Sequence, residues 1–322
     1  MNLMQKIIFD TDPGIDDAMA ILFAEASPEI DLLGITTILG NASIELTTRN
    51  ALHIVDTFDI AAPVFRGAAA PLSMPAGDPP TFVHGDDGLG NISPPTPSRE
   101  VSSMTAAEYI VDTVQRYPGE VTLVAVGRLT NLALAIAAEP RIVDAVRQVV
   151  IMGGALGGGG HHGNITAFAE ANIYGDPHAA DAVFSADWPV VMVGLDVTMQ
   201  VMMDEARMQR IRDAADDAGD FVYRISRFYQ AFYTESAGFD GFPVHDSSAL
   251  AYVIDRSLFE TQKGALSVVL DGERIGQTSF AETGRELASS AFGGRPQQLV
   301  CTGVNDTAVL DLYERTLIEG FG

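Results

Sequence analysis

The chain has 322 residues, 47% of them apolar, and sets 43 acidic against 19 basic side chains for a net charge of -24. That length and apolar content suffice for one large or two ordinary domains with a substantial core, which excludes a disordered chain. The charge repels polyphosphate backbones and anionic bilayers, so nucleic acid and membrane are excluded as partners and a neutral small molecule or a cation fits.

The first element expected is a strand over "KIIF", followed at once by "FDTDPGIDDAMA", which carries Asp10, Asp12, Asp16 and Asp17. The opening "MNLMQKIIF" runs straight into those acids, so it reads as a strand and not as a signal peptide or membrane span, and a cytoplasmic location is expected. Four carboxylates this close raise one another's pKa unless a cation or hydrogen-bond donors offset them. Oxygen ligands without Cys or His spacing suit a hard ion, Ca²⁺ or Mg²⁺, over zinc. An EF-hand is excluded, because Ile21 stands where its bidentate Glu is required. Asp16 and Asp17 open the helix "DDAMAILFAEA", where carboxylates offset the helix dipole. Capping alone leaves Asp10 and Asp12 unexplained.

Further along, "IDLLGITTI" and "VTLVAV" are expected as strands before the helices "IELTTRNALHIVDTF" and "LTNLALAIAAE", with "QVVIM" and "PVVMVGL" continuing the strands. Short, fully apolar strands alternating with amphipathic helices predict an α/β fold: a doubly wound, mostly parallel sheet with helices on both faces. Residues 71–98 hold seven of the 16 prolines and form an irregular excursion; "GGALGGGGHHGN" (153–164) is a second loop. We expect a single domain over 1–322 with a helical insertion at about 203–260, and further strands from "ALSVVL" onward. The one cysteine, Cys301 in "QLVCT", reads as a buried thiol on a strand.

Ligands in open α/β sheets bind beyond the carboxyl ends of the strands. The residues delivered there are the four aspartates, Gly40-Asn41, Gly127, the glycine loop leading to Asn164, Glu170 and Asn172, and Asp196. Gly158, Gly160 and Gly163 fit G-x-G-x-x-G, but they lie too far past their strand and no helix starts at once, so a loop is the better reading than a dinucleotide site. His161-His162 reads as a solvated pair. No G-x-S-x-G and no P-loop lysine occurs, which excludes the common serine hydrolases and P-loop ATPases. His245-Asp246 precedes an apolar helical run, where Asp246 could simply cap. The aromatic stripe before it, including Tyr229 and Tyr233, has the spacing of core packing.

Taken together, "IIFDTDPGIDDAMAIL", "GITTILGNASIELTTRNAL", "GRLTNLALAI", "PRIVDAVRQVVIMGGA", "GNITAFAEANIYGDPHAA" and "PVHDSSALAYVI" resemble the inosine-uridine-preferring nucleoside hydrolase family over about the first 255 residues. The resemblance implies a doubly wound α/β fold, a bound Ca²⁺ and hydrolysis of the N-glycosidic bond of ribonucleosides. It implies that Asp12 touches calcium and deprotonates the attacking water, that Asp17 and Asp246 are further calcium ligands, and that Val126 adds its backbone carbonyl. Asp16 and Asn172 match the ribose-diol binders; Asn164, Glu170 and Met152 match the pocket for the 5′-hydroxyl end; Asn41 and Asp10 are supporting. His245 corresponds to a histidine near the leaving base, a candidate general acid. Tyr229 and Tyr233 are alternative donors there, and His84 is placed with the substrate-binding residues. Val126 replaces a threonine of many members, Ala171 stands where Phe is usual, and the glycine loop is longer than usual. A small-molecule ribonucleoside is the expected partner, and a homo-oligomer, dimer or tetramer, is expected from the family.

Two other classes share parts of this pattern. A haloacid-dehalogenase-like phosphatase would use Asp10 as nucleophile and Asp12 as general acid, but it needs a downstream lysine, and Lys263 is too late in a chain too acidic for anionic substrates. A non-catalytic, Ca²⁺-dependent nucleoside-binding protein would not need both Asp12 and His245.

Overall fold

β-Branched runs buried on both faces become the strands of a parallel sheet. The computed structural model describes residues 4–284 and 290–322. Among the described residues there are eleven strands: β1 (Gln5–Thr11), β2 (Ile30–Thr37), β3 (Val64–Arg66), β4 (Val121–Ala125), β5 (Gln148–Met152), β6 (Val190–Val193), β7 (Met202–Met203), β8 (Phe242–Pro243), β9 (Phe259–Val268), β10 (Thr278–Glu282) and β11 (Gln298–Val304). Nine form one sheet in the order β10-β9-β11-β6-β5-β4-β1-β2-β3. From β3 to β11 every pairing is parallel, and β9 runs antiparallel to both β11 and β10.

Successive side chains of a strand face opposite sides of the sheet, and the core divides accordingly. Ile7 and Phe9 of β1, Val124 of β4, Val150 and Met152 of β5, and Val191 and Val193 of β6 enter one apolar cluster, with the helices Ile15–Ala26, Asp246–Ile254 and Asp306–Phe321. Ile8, Leu123, Ala125, Val149, Ile151, Val190 and Met192 enter the other, with the helices Ala106–Arg116, Thr130–Ala138 and Pro177–Ser185. The expected two-faced, mostly parallel α/β sheet is therefore present. Cys301 lies on β11 with no exposure, and burial pushes its thiol up to about 12.

Strand order reverses direction between β1 and β4, which opens a crevice at their carboxyl ends. Asp10 pairs with Thr36 of β2 and Ala125 of β4, and its carbonyl accepts the Val126 N–H at 2.8 Å. The acidic segment thus begins where that crevice opens.

The helices Glu205–Ala214 and Asp216–Ala237 lie between β7 and β8, which pair as an antiparallel ribbon through Met202 with Pro243 and Met203 with Phe242. The helical excursion consequently closes at that ribbon. The next helix, Asp246–Ile254, buries Ala249, Leu250 and Ala251 and packs on Ile15–Ala26, so it belongs to the layer covering the sheet. The proline-rich stretch holds a single short helix, Thr81–His84. No helix among the described residues is long and apolar enough to cross a membrane.

Candidate active site

β1 ends in Thr11, and the turn Asp12-Pro13-Gly14 leads into the helix Ile15–Ala26. Asp17 folds back onto that turn. Its Oδ1 accepts from Thr11 Oγ1 at 2.5 Å and from the Asp12 N–H at 3.1 Å, and its Oδ2 accepts from the Gly14 N–H at 2.9 Å and Asn41 Nδ2 at 2.8 Å. Asp12 lies between two glycines. A Cβ on Gly40 would stand 1.8 Å from its Oδ2, and one on Gly127 would stand 2.4 Å from its Oδ1. The Asn41 N–H donates to Asp12 Oδ2 at 2.7 Å, so Asn41 holds both acids. The strand-end glycines are there because the carboxylate fills the space of a side chain.

Asp10 is 1% exposed, and both its oxygens accept from Asn131 Nδ2, at 3.1 and 3.0 Å. Its carboxyl, raised by burial to about 7 and opposed by the bonds from Asn131 and Thr36, braces the strand end. Lys263 is exposed on β9, which four strands separate from β1, so the structure does not bring together the aspartate and lysine that the phosphatase alternative needs.

From the neighbouring strands come Val126, just past β4, and β5's Met152, whose carbonyls accept Asn172 Nδ2 at 2.7 and 3.2 Å. Glu170, 2% exposed, caps the helix Ala171–Gly175: Oε1 accepts from Asn172 N–H at 2.9 Å, and Oε2 from Gly154 N–H at 2.9 Å and Ile173 N–H at 3.1 Å. It therefore ties the start of the glycine loop to its end. Asn164 Oδ1 accepts the Ala171 N–H at 2.9 Å, steadying the same turn.

The opposite wall comes from the long helix Asp216–Ala237 and from His84. Tyr229 donates to Asp16 Oδ2 at 3.2 Å, and Tyr233 Oη lies 3.1 Å from His245 Nε2. His245 Nδ1 is 2.8 Å from Thr198 Oγ1, so both ring nitrogens are engaged and either tautomer satisfies them. Burial, with smaller repulsion from His84 and His161, lowers His245 to about 3 and keeps it neutral. His84, lowered by burial to about 4, accepts the Ile15 N–H at Nδ1, 3.1 Å away. Its 3.9 Å approach to Asp16 is accordingly not an ion pair. Tyr229 is raised far above the usual phenol range, chiefly by burial.

Oxygen atoms of Asp16, Asp17 and Asp246 all lie within 4.8 Å of one another. Asp16 thus joins Asp17 and Asp246 in the carboxylate group, whereas the resemblance gives it to the ribose. Asp12, drawn toward Asn41, is not among the three. Burial is the largest cause raising all four acids: Asp12 and Asp246 well above the carboxylate range, Asp16 to about 6, and Asp17 upward. Repulsion adds to it, with Asp17 acting on Asp12 and Asp16 on both Asp17 and Asp246. Asp12 Oδ1 and Asp16 Oδ1 are buried without a hydrogen-bond partner. Unpartnered buried oxygens beside mutually repelling acids are what an oxygen-coordinated cation would satisfy, so these residues fit a hard metal ion.

Sequence reading did not find Thr198, Asn131 or the capping by Glu170. Asn131 had a signal, a lone amide in the otherwise apolar helix "LTNLALAIAAE"; Thr198 had none.

Residues 7–311 match the family model described as inosine-uridine preferring nucleoside hydrolase. The chain is 40% identical over 275 residues to uridine nucleosidase 1 of Arabidopsis thaliana, covering 85% of this chain and 81% of that protein, and 41% identical over 271 residues to the inosine-uridine preferring nucleoside hydrolase of Leishmania major, covering 83% and 84%. Among solved structures, it superposes on the plant nucleoside hydrolase PpNRh1 with a TM-score of 0.91 at 36% identity, covering 98% of this chain and 99% of that one. With a matched span that begins on β1 and extends past Asp246, the acidic sheet edge is part of a shared architecture, and the chain belongs to the inosine-uridine preferring nucleoside hydrolase family, whose members are ribonucleoside N-glycosidases.

Proposed function

We propose that the protein hydrolyses the N-glycosidic bond of ribonucleosides to free base and ribose in a Ca²⁺-dependent reaction. The observation that carries this reading is the buried acidic group at the mouth of β1 and β4 with two unpartnered oxygens, Asp12 Oδ1 and Asp16 Oδ1. Asp12, Asp17 and Asp246 with the Val126 carbonyl would hold Ca²⁺; the proximity of Asp16 to Asp17 and Asp246 supports a ribose-diol contact directly beside them. When bound, Ca²⁺ supplies a positive charge that polarises its oxygen ligands.

Asp12 takes the proton of the attacking water. Its buried carboxylate, fixed by the bond from the Asn41 N–H to Oδ2, is positioned to receive that proton. Asp16 and Asn172 orient the 2′- and 3′-hydroxyls; Glu170, Asn164 and Met152 shape the 5′ end. Because Glu170 and Asn164 are bonded to backbone N–H groups, they work by fixing the loop as well as by any contact with sugar. On the other face the departing base carries the electron pair of the broken bond, as in an oxocarbenium-like glycoside cleavage. His245, neutral and held between Thr198 and Tyr233, serves there as an N–H donor with Tyr233 as its proton partner.

The test is release of free ribose from uridine, inosine, cytidine and adenosine, before and after extraction with a chelator. We expect turnover to disappear with the metal and to return with Ca²⁺. Undiminished ribose release from metal-free protein rejects the calcium role.

A further inference from the structure

Behind the acidic site a single amide joins the ends of three neighbouring strands. Asn131 lies in the first turn of the helix Thr130–Ala138 and is 1% exposed. Its Nδ2 donates to both oxygens of Asp10 on β1, at 3.1 and 3.0 Å, and to the Thr37 carbonyl at the end of β2, at 3.0 Å. Its Oδ1 accepts the N–H of Ala68, just past β3, at 2.9 Å. Acceptors on one side and an N–H on the other leave one orientation for the amide, with its nitrogen toward Asp10 and Thr37. The packing there is close: a Cβ on Gly67 would stand 2.2 Å from the Thr37 carbonyl oxygen and 2.3 Å from Asn131 Oδ1.

From these strand ends the backbone carries the restraint to the acids. The Ala68 carbonyl accepts the Leu39 N–H at 3.3 Å, and the Thr11 carbonyl accepts the Ile38 N–H at 3.0 Å. Those bonds set the turn that continues into Gly40 and Asn41. Gly40 is the close neighbour of Asp12 Oδ2, and Asn41 donates to Asp12 through its N–H and to Asp17 through Nδ2. On the other side the Asp10 carbonyl accepts the Val126 N–H, and the chain runs on from Val126 through Gly127 into the helix that carries Asn131. Asn131 thus fixes the segments flanking Asp12, Asp17 and Val126 while standing outside the acid group itself.

We propose that Asn131 is a positioning residue that sets the affinity of the acidic site for its cation, by holding the ends of β1, β2 and β3 so that Asp12, Asp17 and the Val126 carbonyl keep their mutual placement. The inference rests on the metal-dependent reading of the site and adds to it a buried residue outside the acid group. Ligand atoms already in place bind more tightly than ones that must be ordered on binding. Residues that orient metal ligands from behind contribute about 10- to 100-fold in affinity. An amide suits this position because it donates and accepts at once. Asp would set a second carboxylate against Asp10 and offer Thr37 no donor, and Leu would strand both the Ala68 N–H and the Thr37 carbonyl.

The experiment measures Ca²⁺ binding by isothermal titration calorimetry on chelator-stripped protein, for wild type, Asn131→Ala, Asn131→Ser and Gln298→Ala. Gln298 is a matched control, a buried amide at the amino-terminal end of β11 whose Oε1 accepts the Val190 N–H of β6 at 2.8 Å, on the sheet edge opposite the acids. Each protein is titrated at a temperature where circular dichroism shows it folded; Asn131→Ser, which keeps a hydroxyl at the position, carries the test if Asn131→Ala does not fold. For the Asn131 variants we expect the Kd for Ca²⁺ to rise by about 10- to 100-fold, with kcat for ribose release from uridine returning to within about threefold of wild type once Ca²⁺ is saturating. Gln298→Ala should lose thermal stability and keep the wild-type Kd. A wild-type Kd in a folded Asn131 variant overturns the proposal. An equal rise in Kd for Gln298→Ala also overturns it, because it marks general loosening, and so does a kcat deficit that saturating Ca²⁺ does not relieve. Wild-type protein that binds no Ca²⁺ fails the metal reading of the site, whereas tight binding by wild type with an unchanged Kd in the Asn131 variants fails only this inference.

Discussion

The general-base role proposed for Asp12 rests on what surrounds it: two glycine backbones, one hydrogen bond from the Asn41 N–H, and one unpartnered oxygen. Asp12→Asn keeps the shape and removes the basicity, so kcat for ribose release should fall by about 10²- to 10⁴-fold, the size of a general-base contribution. Near-wild-type turnover would assign water activation to another group. At the same scale Cys301 makes a pH prediction. Burial raises its thiol to about 12, which means the folded state holds the proton through the range where an unfolded cysteine loses it. The native protein should therefore resist a thiol-alkylating reagent up to about pH 9 and react with one equivalent once denatured. Mass spectrometry of the alkylated chain reads this directly, and rapid native labelling would contradict the burial on β11.

At the scale of elements, the loop between β5 and the helix Ala171–Gly175 is held by acids acting on backbone: Glu170 at both ends and Asp196 in the middle. Glu170→Ala would leave three N–H groups without their acceptor, two of them buried. We expect a loss of about 1–3 kcal/mol, the cost of stranding buried donors, measured by urea unfolding followed by circular dichroism. Retained stability would mean the loop has other anchors. This element also marks what sequence could and could not tell. Strands over "KIIF", "VTLVAV", "QVVIM" and "PVVMVGL" were legible because apolar β-branched runs of that length admit few other structures, and the aspartates after the first run were conspicuous by their mutual repulsion. The second role of Glu170 was hidden, since a carboxylate that caps and one that binds substrate look identical in sequence. Thr198 was hidden for a different reason: a single hydroxyl acquires meaning only when the fold brings it beside His245.

Across the whole molecule, the acidic edge is a cost that a cation would relieve. Four buried carboxylates with raised pKa values repel one another in the metal-free chain, so Ca²⁺ that binds only the folded state should stabilise it by mass action, by about 2.7 kcal/mol at 100 times its Kd. Thermal unfolding with and without chelator checks this, with Tm expected to rise on adding Ca²⁺. An unchanged Tm across saturating Ca²⁺ would sever the acid group from metal. The pairing of Tyr229 with Asp16, 213 residues apart in sequence, carries a consequence for biosynthesis. Acids near the amino terminus emerge from the ribosome early, yet the side chains that face them, and Asp246 after those, are made much later. A nascent chain therefore carries its acids long before it can assemble them, and folding that depends on contacts of such long range is slow. If the acid group holds a cation as proposed, metal capture would report completed synthesis, because a chain that ends before Asp246 carries the acidic opening without the third member of the carboxylate group.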